Sequence, residues 1–220
     1  MSATVEQLCW AGRHLAELGL SPGASGNISV RVGPEVHLTP SGSSLSTLDP
    51  TALSRMTLTA DGLEHTGGPR PSKEYGLHGA LYVRDPEAVC VVHLHSPYAV
   101  AASCLPAWAE HSALPPLTPY LLMRVGNLPM VPYAPPGDAG QAVALRDHAV
   151  DCHGALLQNH GPVVAGASVE EAVARAIEIE QAARVTLSVG QRPEARLLAA
   201  DEVEHLTTTY GQPWGVTTTV

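Results

Sequence analysis

Segments with strand alternation and segments with helical spacing follow one another along this chain, and that order limits the folds it can adopt. Residues 27–32 carry an apolar side chain at every second position, and residues 36–38 resume the alternation after a Gly-Pro turn, as in a β-hairpin. Residues 88–94 are rich in valine and predict a strand buried on both faces. Hairpins and crossover helices in one chain predict an α/β protein with a mainly antiparallel or mixed sheet.

Helices are indicated by capping residues and apolar stripes. Ser168 and Glu171 form a capping box, and Ser96-Pro97 places a proline at a first helical position. The predicted helices cover residues 5–18, 72–85, 97–102, 138–150 and 168–189. Residues 105–137 hold eight prolines and predict loops, with short strands at residues 121–125 and 128–131. Two more short strands are expected at residues 155–157 and 163–165.

The composition predicts a soluble globular protein. The chain has 220 residues, of which 45% are hydrophobic, and its mean hydropathy is +0.05, which is too apolar for disorder. No apolar run reaches the ~20 residues that a membrane-spanning helix needs. We expect one domain over residues 1–220, with its core at about residues 5–190 and a C-terminal tail at residues 207–220.

The charges argue against a polyanionic partner. Twelve Lys and Arg residues stand against 21 Asp and Glu residues, which gives a net charge of −9, and the basic residues are not clustered. This pattern predicts no nucleic acid and no anionic membrane as partner. The four cysteines show no CxxC spacing, and the first residues lack the order of a signal peptide, so we expect a cytoplasmic protein.

Histidine is the informative residue type, with 11 in the chain. His93 and His95 come at the end of the valine-rich strand, and residues two apart on a strand face the same side about 6–7 Å from each other. Both imidazoles can therefore bind one cation, although a packed polar pair is an alternative. His160, in a predicted loop between two short strands, is a third candidate ligand, although a single loop histidine is more often structural. Three such histidines would resemble a zinc site with one open position.

Glu74 and His78 are four residues apart in the helix predicted to follow Ser72, and they would share one helix face. A carboxylate in the first helical turn also stabilises the helix dipole without any other role. Three short segments offer backbone N–H groups and hydroxyls to an anion, although each could be an ordinary turn: residues 24–27, 39–44 and 71–73. Lys73 favours anion binding for the third.

Taken in order, five segments resemble the class II aldolase/adducin family of zinc-dependent sugar-phosphate enzymes, and the resemblance covers about residues 5–190. The segments are Gly23-Ala24-Ser25-Gly26-Asn27-Ile28-Ser29, Leu38-Thr39-Pro40-Ser41-Gly42, Pro71-Ser72-Lys73-Glu74, Val91-Val92-His93-Leu94-His95 and Asn159-His160-Gly161. The resemblance implies a three-layer α/β/α sandwich around a mainly antiparallel sheet. It also implies a homotetramer with sites at the subunit interfaces.

The same resemblance implies roles for individual residues. His93, His95 and His160 would ligate zinc or another divalent cation, and Glu74 would be the catalytic acid/base, able to bind the metal when no substrate is present. Tyr120 matches a tyrosine that the family lends to a neighbouring subunit's site. The substrate phosphate would be held by Gly26, Asn27, Ser41, Gly42, Ser72 and Lys73.

Within the family, residues 71–74, 117–127 and 131–138 are most similar to the branch that decarboxylates 3-oxo-tetronate 4-phosphate. This implies conversion of a sugar-acid phosphate to dihydroxyacetone phosphate and CO2 through a metal-stabilised enediolate. The aldolase branch tends to have Ser-Ser-Glu where this chain has Ser72-Lys73-Glu74.

Other activities remain open at this point. They are an L-fuculose 1-phosphate type aldolase, a pentulose-phosphate 4-epimerase and a non-catalytic adducin-like interaction module. The last is disfavoured because such modules are expected to lack the three metal histidines. A structural zinc site is disfavoured because cysteine ligands and a closed set of four ligands are absent from the pattern.

Overall fold

The computed structural model of the chain describes residues 3–190, 192 and 194–215, and within these residues eight strands form one sheet. The strands are β1 Asn27–Val32, β2 Glu35–Leu38, β3 Ser54–Thr59, β4 Gly62–Gly67, β5 Cys90–His93, β6 Met130–Val131, β7 Gly154–Leu157 and β8 Gly161–Gly166. They lie in the order β4-β3-β2-β1-β5-β8-β7-β6. Every neighbouring pair is antiparallel except β6 and β7, which confirms the prediction of a mainly antiparallel sheet.

Helices cover both faces of this sheet. They are α1 Ala3–Glu17, α2 Tyr75–Arg84, α3 Pro97–Ser103, α4 Pro119–Arg124, α5 Ala139–Arg146, α6 Val169–Val189 and α7 Ala200–Tyr210. Val92 and Val164 belong to an apolar cluster with α1, α3, α4 and α6. Their strand neighbours Val91 and Val163 belong to a second cluster with α2 and α5. Because successive residues of a strand face opposite sides, two clusters of this kind make a three-layer α/β/α sandwich, as predicted.

Strand register brings distant residues to one end of the sheet. In the β1–β5 pair Asn27 lies opposite His93, and in the β5–β8 pair His93 lies opposite Val163. The turn before β8 carries His160, and it therefore reaches the same end. The end of β5 is consequently flanked by the start of β1 on one side and by the β7–β8 turn on the other.

Two local predictions are wrong. Residues 121–125 were expected to form a strand, but they lie in or directly after helix α4. Thr118 is extended and Pro119 takes the first helical position, where its fixed φ and missing N–H favour a helix start. Ser72 was expected to cap α2, but Glu74 is the N-cap residue, and the Ser72 hydroxyl instead accepts a hydrogen bond from the Glu74 N–H at 3.3 Å.

Several boundaries and elements also differ from the predictions. The helix expected at residues 138–150 ends at Arg146. The β3–β4 hairpin and α7 were not predicted at all, so the expected tail at residues 207–220 is helical up to Tyr210. The rest of that tail from residue 216 onward lies outside the described residues. Among the described helices, none combines the length and apolarity needed to cross a bilayer.

Candidate metal centre and active site

Three imidazoles meet at the end of β5. His93 is the last residue of β5, His95 follows two positions later, and His160 lies in the turn between β7 and β8. The Nε2 atom of His95 is 3.1 Å from that of His93 and 3.0 Å from that of His160. His93 is fully buried, and His160 is 8% exposed. The structure therefore brings together the three histidines that the sequence singled out separately.

The backbone around these histidines is closely packed. Gly161 has a φ of 153°, and a Cβ atom there would overlap the carbonyl oxygen of Leu94. Gly26 has a φ of 75°, and a Cβ atom there would come within 2.9 Å of the His93 carbonyl oxygen. Both positions combine a backbone conformation that favours glycine with close approach to the segment that carries His93 and His95. Glycine at these positions lets the backbone lie directly against the segment that carries His93 and His95.

Glu74 places its carboxylate against the imidazoles. Its Oε1 atom is 2.9 Å from His160 Nε2, and its Oε2 atom is 3.3 Å from His93 Nε2. Asn27 Nδ2 donates a hydrogen bond to Oε2 at 2.8 Å. Burial by itself raises the pKa of Glu74, but hydrogen bonds from His160 and His93, the charge of His93 and the Asn27 amide together hold that pKa well below its ordinary value. The carboxylate is therefore ionised in this arrangement.

The donor set fits a divalent cation. His93 Nδ1 lies 2.9 Å from the carbonyl oxygen of Pro162, which can only accept, so a neutral His93 carries its proton on Nδ1. In that neutral form Nε2 does not donate to Glu74, and its lone pair faces the Nε2 of His95 and the carboxylate of Glu74. Such acceptors repel one another unless a proton or a cation lies between them. One ligand atom from each of Glu74, His93, His95 and His160 lies within 4.8 Å of all the others, and these donor types suit zinc.

The pKa of His95 supports the same interpretation. Burial, followed by the charges of His93 and His160, lowers it to about 4, although Glu74 opposes the shift. His95 is therefore neutral at physiological pH, and the neutral ring is the form that ligates metals.

A cavity of about 210 Å³ opens beside this cluster. Its wall includes Glu74 and His95 together with all six residues predicted to hold a phosphate: Gly26, Asn27, Ser41, Gly42, Ser72 and Lys73. Two of the segments are joined by backbone hydrogen bonds, from Ser41 N to Arg70 O at 2.9 Å and from Ser72 N to Thr39 O at 3.3 Å. The cavity thus combines hydroxyls, backbone N–H groups and one ammonium group beside the candidate metal ligands.

Tyr120 lies elsewhere. It is 53% exposed on α4, and the Arg124 guanidinium lies 5.7 Å from the centre of its ring. Within the described part of this single chain, Tyr120 does not line the cavity that contains Glu74.

Two supporting residues were not found from the sequence. The Ser103 hydroxyl accepts a hydrogen bond from His160 N at 3.1 Å, and its carbonyl accepts one from Asn159 N at 3.1 Å. The Glu180 carboxylate accepts hydrogen bonds from Tyr98 N and Ala99 N at 3.0 and 2.8 Å, which anchors the start of α3 directly after His95. Neither residue carries a spacing signal, because each contact joins elements that are far apart in the chain.

Known proteins are similar to this chain in both sequence and fold. The profile described as Class II Aldolase and Adducin N-terminal domain matches residues 6–187. The 3-oxo-tetronate 4-phosphate decarboxylase of Escherichia coli O6:H1 is 44% identical over 203 residues, which cover 91% of this chain and 93% of that protein. The 5-methylthioribulose-1-phosphate/5-deoxyribulose-1-phosphate aldolase of Rhodospirillum rubrum is 31% identical over 203 residues, which cover 89% and 86%.

A solved structure agrees with these relatives. The crystal structure of YgbL from Klebsiella pneumoniae superimposes with a TM-score of 0.86 at 41% identity, covering 92% of this chain and 97% of that one. Sequence and fold therefore agree, and the chain belongs to the class II aldolase and adducin family.

Proposed function

We propose that this chain is a metal-dependent carboxy-lyase that converts a 3-oxo-tetronate 4-phosphate to dihydroxyacetone phosphate and CO2. The observation that carries the proposal is the convergence of three imidazole Nε2 atoms and the Glu74 carboxylate beside a polar cavity. The 44% identity to a relative with this named activity supports the choice of substrate.

In this proposal His93, His95 and His160 hold a zinc ion, and Glu74 completes the set when no substrate is present. A bound ion would supply Lewis acidity toward the substrate oxygens and would stabilise the negative charge left when CO2 departs. His93 contributes a preset lone pair, because its Nδ1–H is engaged by the Pro162 carbonyl. The buried ring of His93 therefore needs no rotation to bind the ion.

Glu74 acts as the acid/base. When CO2 leaves, the carbon–carbon bond breaks and its electron pair stays with the substrate, so the carbon that lost CO2 must gain a proton. Glu74 supplies that proton from its carboxyl group. Histidines that bind a cation through Nε2 no longer donate to Glu74, and this removes two of the contacts that depress its pKa. The positive charge of the ion and the Asn27 amide, which favour the carboxylate, and burial, which favours the neutral carboxyl group, then determine whether Glu74 carries a proton.

The phosphate occupies the cavity beside Glu74. Ser41, Ser72 and the backbone around Gly26 and Gly42 offer hydrogen-bond donors, as in other small-residue anion sites. Lys73 is exposed at the cavity wall and adds a positive charge, which a substrate with both a carboxylate and a phosphate requires more than a neutral sugar phosphate does.

We further propose a homotetramer in which Tyr120 completes the site of a neighbouring subunit. Its exposure and its position away from this chain's own cavity support that role. A cytoplasmic location and a single domain over residues 1–220 are likewise proposed. Cys9, Cys90, Cys104 and Cys152 are all free thiols, which is compatible with a reducing compartment.

The experiment is a coupled assay with purified protein loaded with zinc. Candidate C4 3-oxo acid phosphates are supplied, and both CO2 and dihydroxyacetone phosphate are measured. We expect equal amounts of the two products, and loss of both after chelation of the metal. If no C4 3-oxo acid phosphate releases CO2 from protein that holds a stoichiometric metal ion, the proposed activity is wrong.

An aldolase is the second candidate, because a relative at 31% identity is named as an aldolase of ketose 1-phosphates. The same residues could stabilise the same type of carbanion after release of an aldehyde instead of CO2. Ketose 1-phosphates and pentulose phosphates are therefore tested beside the C4 3-oxo acid phosphates, with aldehyde release and change of configuration as readouts. Preferential turnover of a ketose 1-phosphate would favour the aldolase, and change of configuration alone would favour an epimerase.

A further inference from the structure

A chain of hydrogen bonds runs from Glu74 into the protein interior. Asn27 Nδ2 is 2.8 Å from Glu74 Oε2, and Asn27 Oδ1 is 2.5 Å from His78 Nε2. On the other side of the ring, His78 Nδ1 is 2.7 Å from Ser29 Oγ, which is 2.9 Å from the Tyr82 hydroxyl. His78 and Ser29 are fully buried, and Tyr82 is 1% exposed. A polar chain of this kind is costly to bury unless every member is paired.

Two elements hold this chain of groups in place. His78 and Tyr82 are one helical turn apart on α2, and Glu74 lies one turn before His78 as the N-cap residue. Asn27 and Ser29 are two apart on β1, so both side chains face α2. Polar residues four apart on a helix and two apart on a strand are a sequence pattern that could have predicted polar contacts between α2 and β1.

The direction of every hydrogen bond follows from the carboxylate. Ionised Glu74 only accepts, so the Asn27 amide must turn its NH2 group toward it and its oxygen toward His78. That oxygen also only accepts, so the proton of the neutral His78 ring lies on Nε2. His78 Nδ1 is then an acceptor, and the Ser29 hydroxyl donates to it. Ser29 Oγ in turn accepts from the Tyr82 hydroxyl at 2.9 Å, and that hydroxyl then has only a longer contact, of 3.4 Å, with the Val89 carbonyl oxygen.

The His78 ring stays neutral in this environment. Burial, followed by the charge of His93, lowers its pKa to about 3, although Glu74 opposes the shift. The ring therefore has one proton to place, and its neighbours allow only one position for it.

We infer that His78 is a positioning residue, which orients the Asn27 amide and thereby holds the Glu74 carboxylate in one orientation for proton transfer. The inference rests on the proposed role of Glu74. Without the His78 N–H, the Asn27 oxygen loses its buried donor, and nothing on that side holds the amide at the distance and angle at which its NH2 group meets Glu74. Proton transfer should suffer, whereas the phosphate contacts at Ser72 and Lys73 remain.

The test compares His78→Phe, which keeps a ring but has no N–H, with His78→Gln, whose amide can still donate to Asn27. We expect kcat to fall about 10–100-fold in the Phe variant, the range for partners that orient an active-site group. KM should change less than about threefold, because binding contacts remain. The Gln variant should retain kcat within about threefold. Leu81→Val is the control, since it disturbs the core of α2 away from these polar groups.

The second readout needs no metal and no activity. Nitrogen NMR of metal-free protein should show His78 protonated on Nε2, and the Asn27 side-chain amide signals should move in the Phe variant but not in the Gln variant. A proton on Nδ1, or full kcat in folded His78→Phe, overturns the inference while leaving the decarboxylase proposal intact. If the Phe variant does not fold, the His78 tautomer and the Gln variant still test the inference. A decrease in kcat of tenfold or more in folded His78→Gln contradicts it.

An inactive wild-type protein would instead refute the proposed function. In that case the tautomer and the Asn27 amide signals still test whether His78 orients Asn27. The two failures are therefore distinguishable.

Discussion

The Nδ1 atom of His93 lies 2.9 Å from the carbonyl oxygen of Pro162. Pro162 belongs to β8, which pairs with β5, so the sheet itself fixes the ring of His93. A carbonyl partner of this kind sets the tautomer of a metal-binding histidine and directs its other nitrogen toward the ion. Strand pairing thus fixes the orientation of the His93 ring, whereas His95 and His160 lie in the segments that follow β5 and precede β8.

Replacing Glu74 by Gln should leave the fold and metal in place and reduce kcat about 100-fold or more, in the range of a positioned acid/base. Gln keeps the shape and can still contact Asn27, but it cannot carry the proton. Turnover and metal content are measured on the same preparation. Near-normal turnover would remove Glu74 from the acid/base role.

His93→Ala and His95→Ala should each lose the bound metal. Each removes one of three imidazoles whose Nε2 atoms are about 3 Å apart, and a zinc site that keeps an open position has few ligands to spare. Elemental analysis after dialysis measures the metal. His65→Ala is the matched control, since His65 is exposed on β4, and it should keep the wild-type content. Full occupancy in both site variants would contradict the ligand assignment.

Gly26→Ala should be more destabilising than Gly33→Ala. Both residues have positive φ, of 75° and 63°, so each substitution by alanine carries the same backbone cost of about 1 kcal/mol. A Cβ at residue 26 also meets the His93 carbonyl oxygen at 2.9 Å, whereas residue 33 has open space. Overpacking should add about 1–3 kcal/mol to the loss. Urea unfolding of the two variants measures the difference, and equal losses would show that the contact with His93 is relieved at no cost.

The metal-free protein should lose stability as the pH falls from 7 to 5, partly through His78. An unfolded histidine gains a proton near its ordinary pKa of 6.5, whereas folded His78 stays neutral to about 3. The unfolded state therefore binds more protons in this window, and the free energy of unfolding decreases as the pH falls. His78 alone should account for roughly 2 kcal/mol of the decrease in the free energy of unfolding between pH 7 and 5.

The measurement is urea unfolding of wild type and His78→Gln at both pH values. His95, whose pKa is also lowered, is present in both proteins, so the difference between them isolates His78. The variant should be less sensitive to pH by about that amount. Equal sensitivity would mean that folded His78 takes up a proton as readily as an unfolded one.

Local signals predicted many elements correctly. Ser168 accepts a hydrogen bond from Glu171 N at the start of α6, as the capping box predicted. The prediction of a strand at residues 121–125 was wrong, because an apolar run of five residues fits a strand or a buried helix turn equally well. The β3–β4 hairpin, which turns at Ala60 and Asp61, was missed because its strands are rich in polar residues.

The sequence by itself determined which residue types were available for chemistry. It also restricted the distance between His93 and His95, because the two residues are only two positions apart in one segment. Only the tertiary structure decided that His160, 65 residues after His95, completes the cluster. It also decided that Asn27 and His78 stand behind Glu74, and which nitrogen of each buried ring carries the proton. The physical reason is that spacing restricts distances inside one element. Distances and hydrogen-bond directions between elements depend on strand pairing and on helix packing against the sheet.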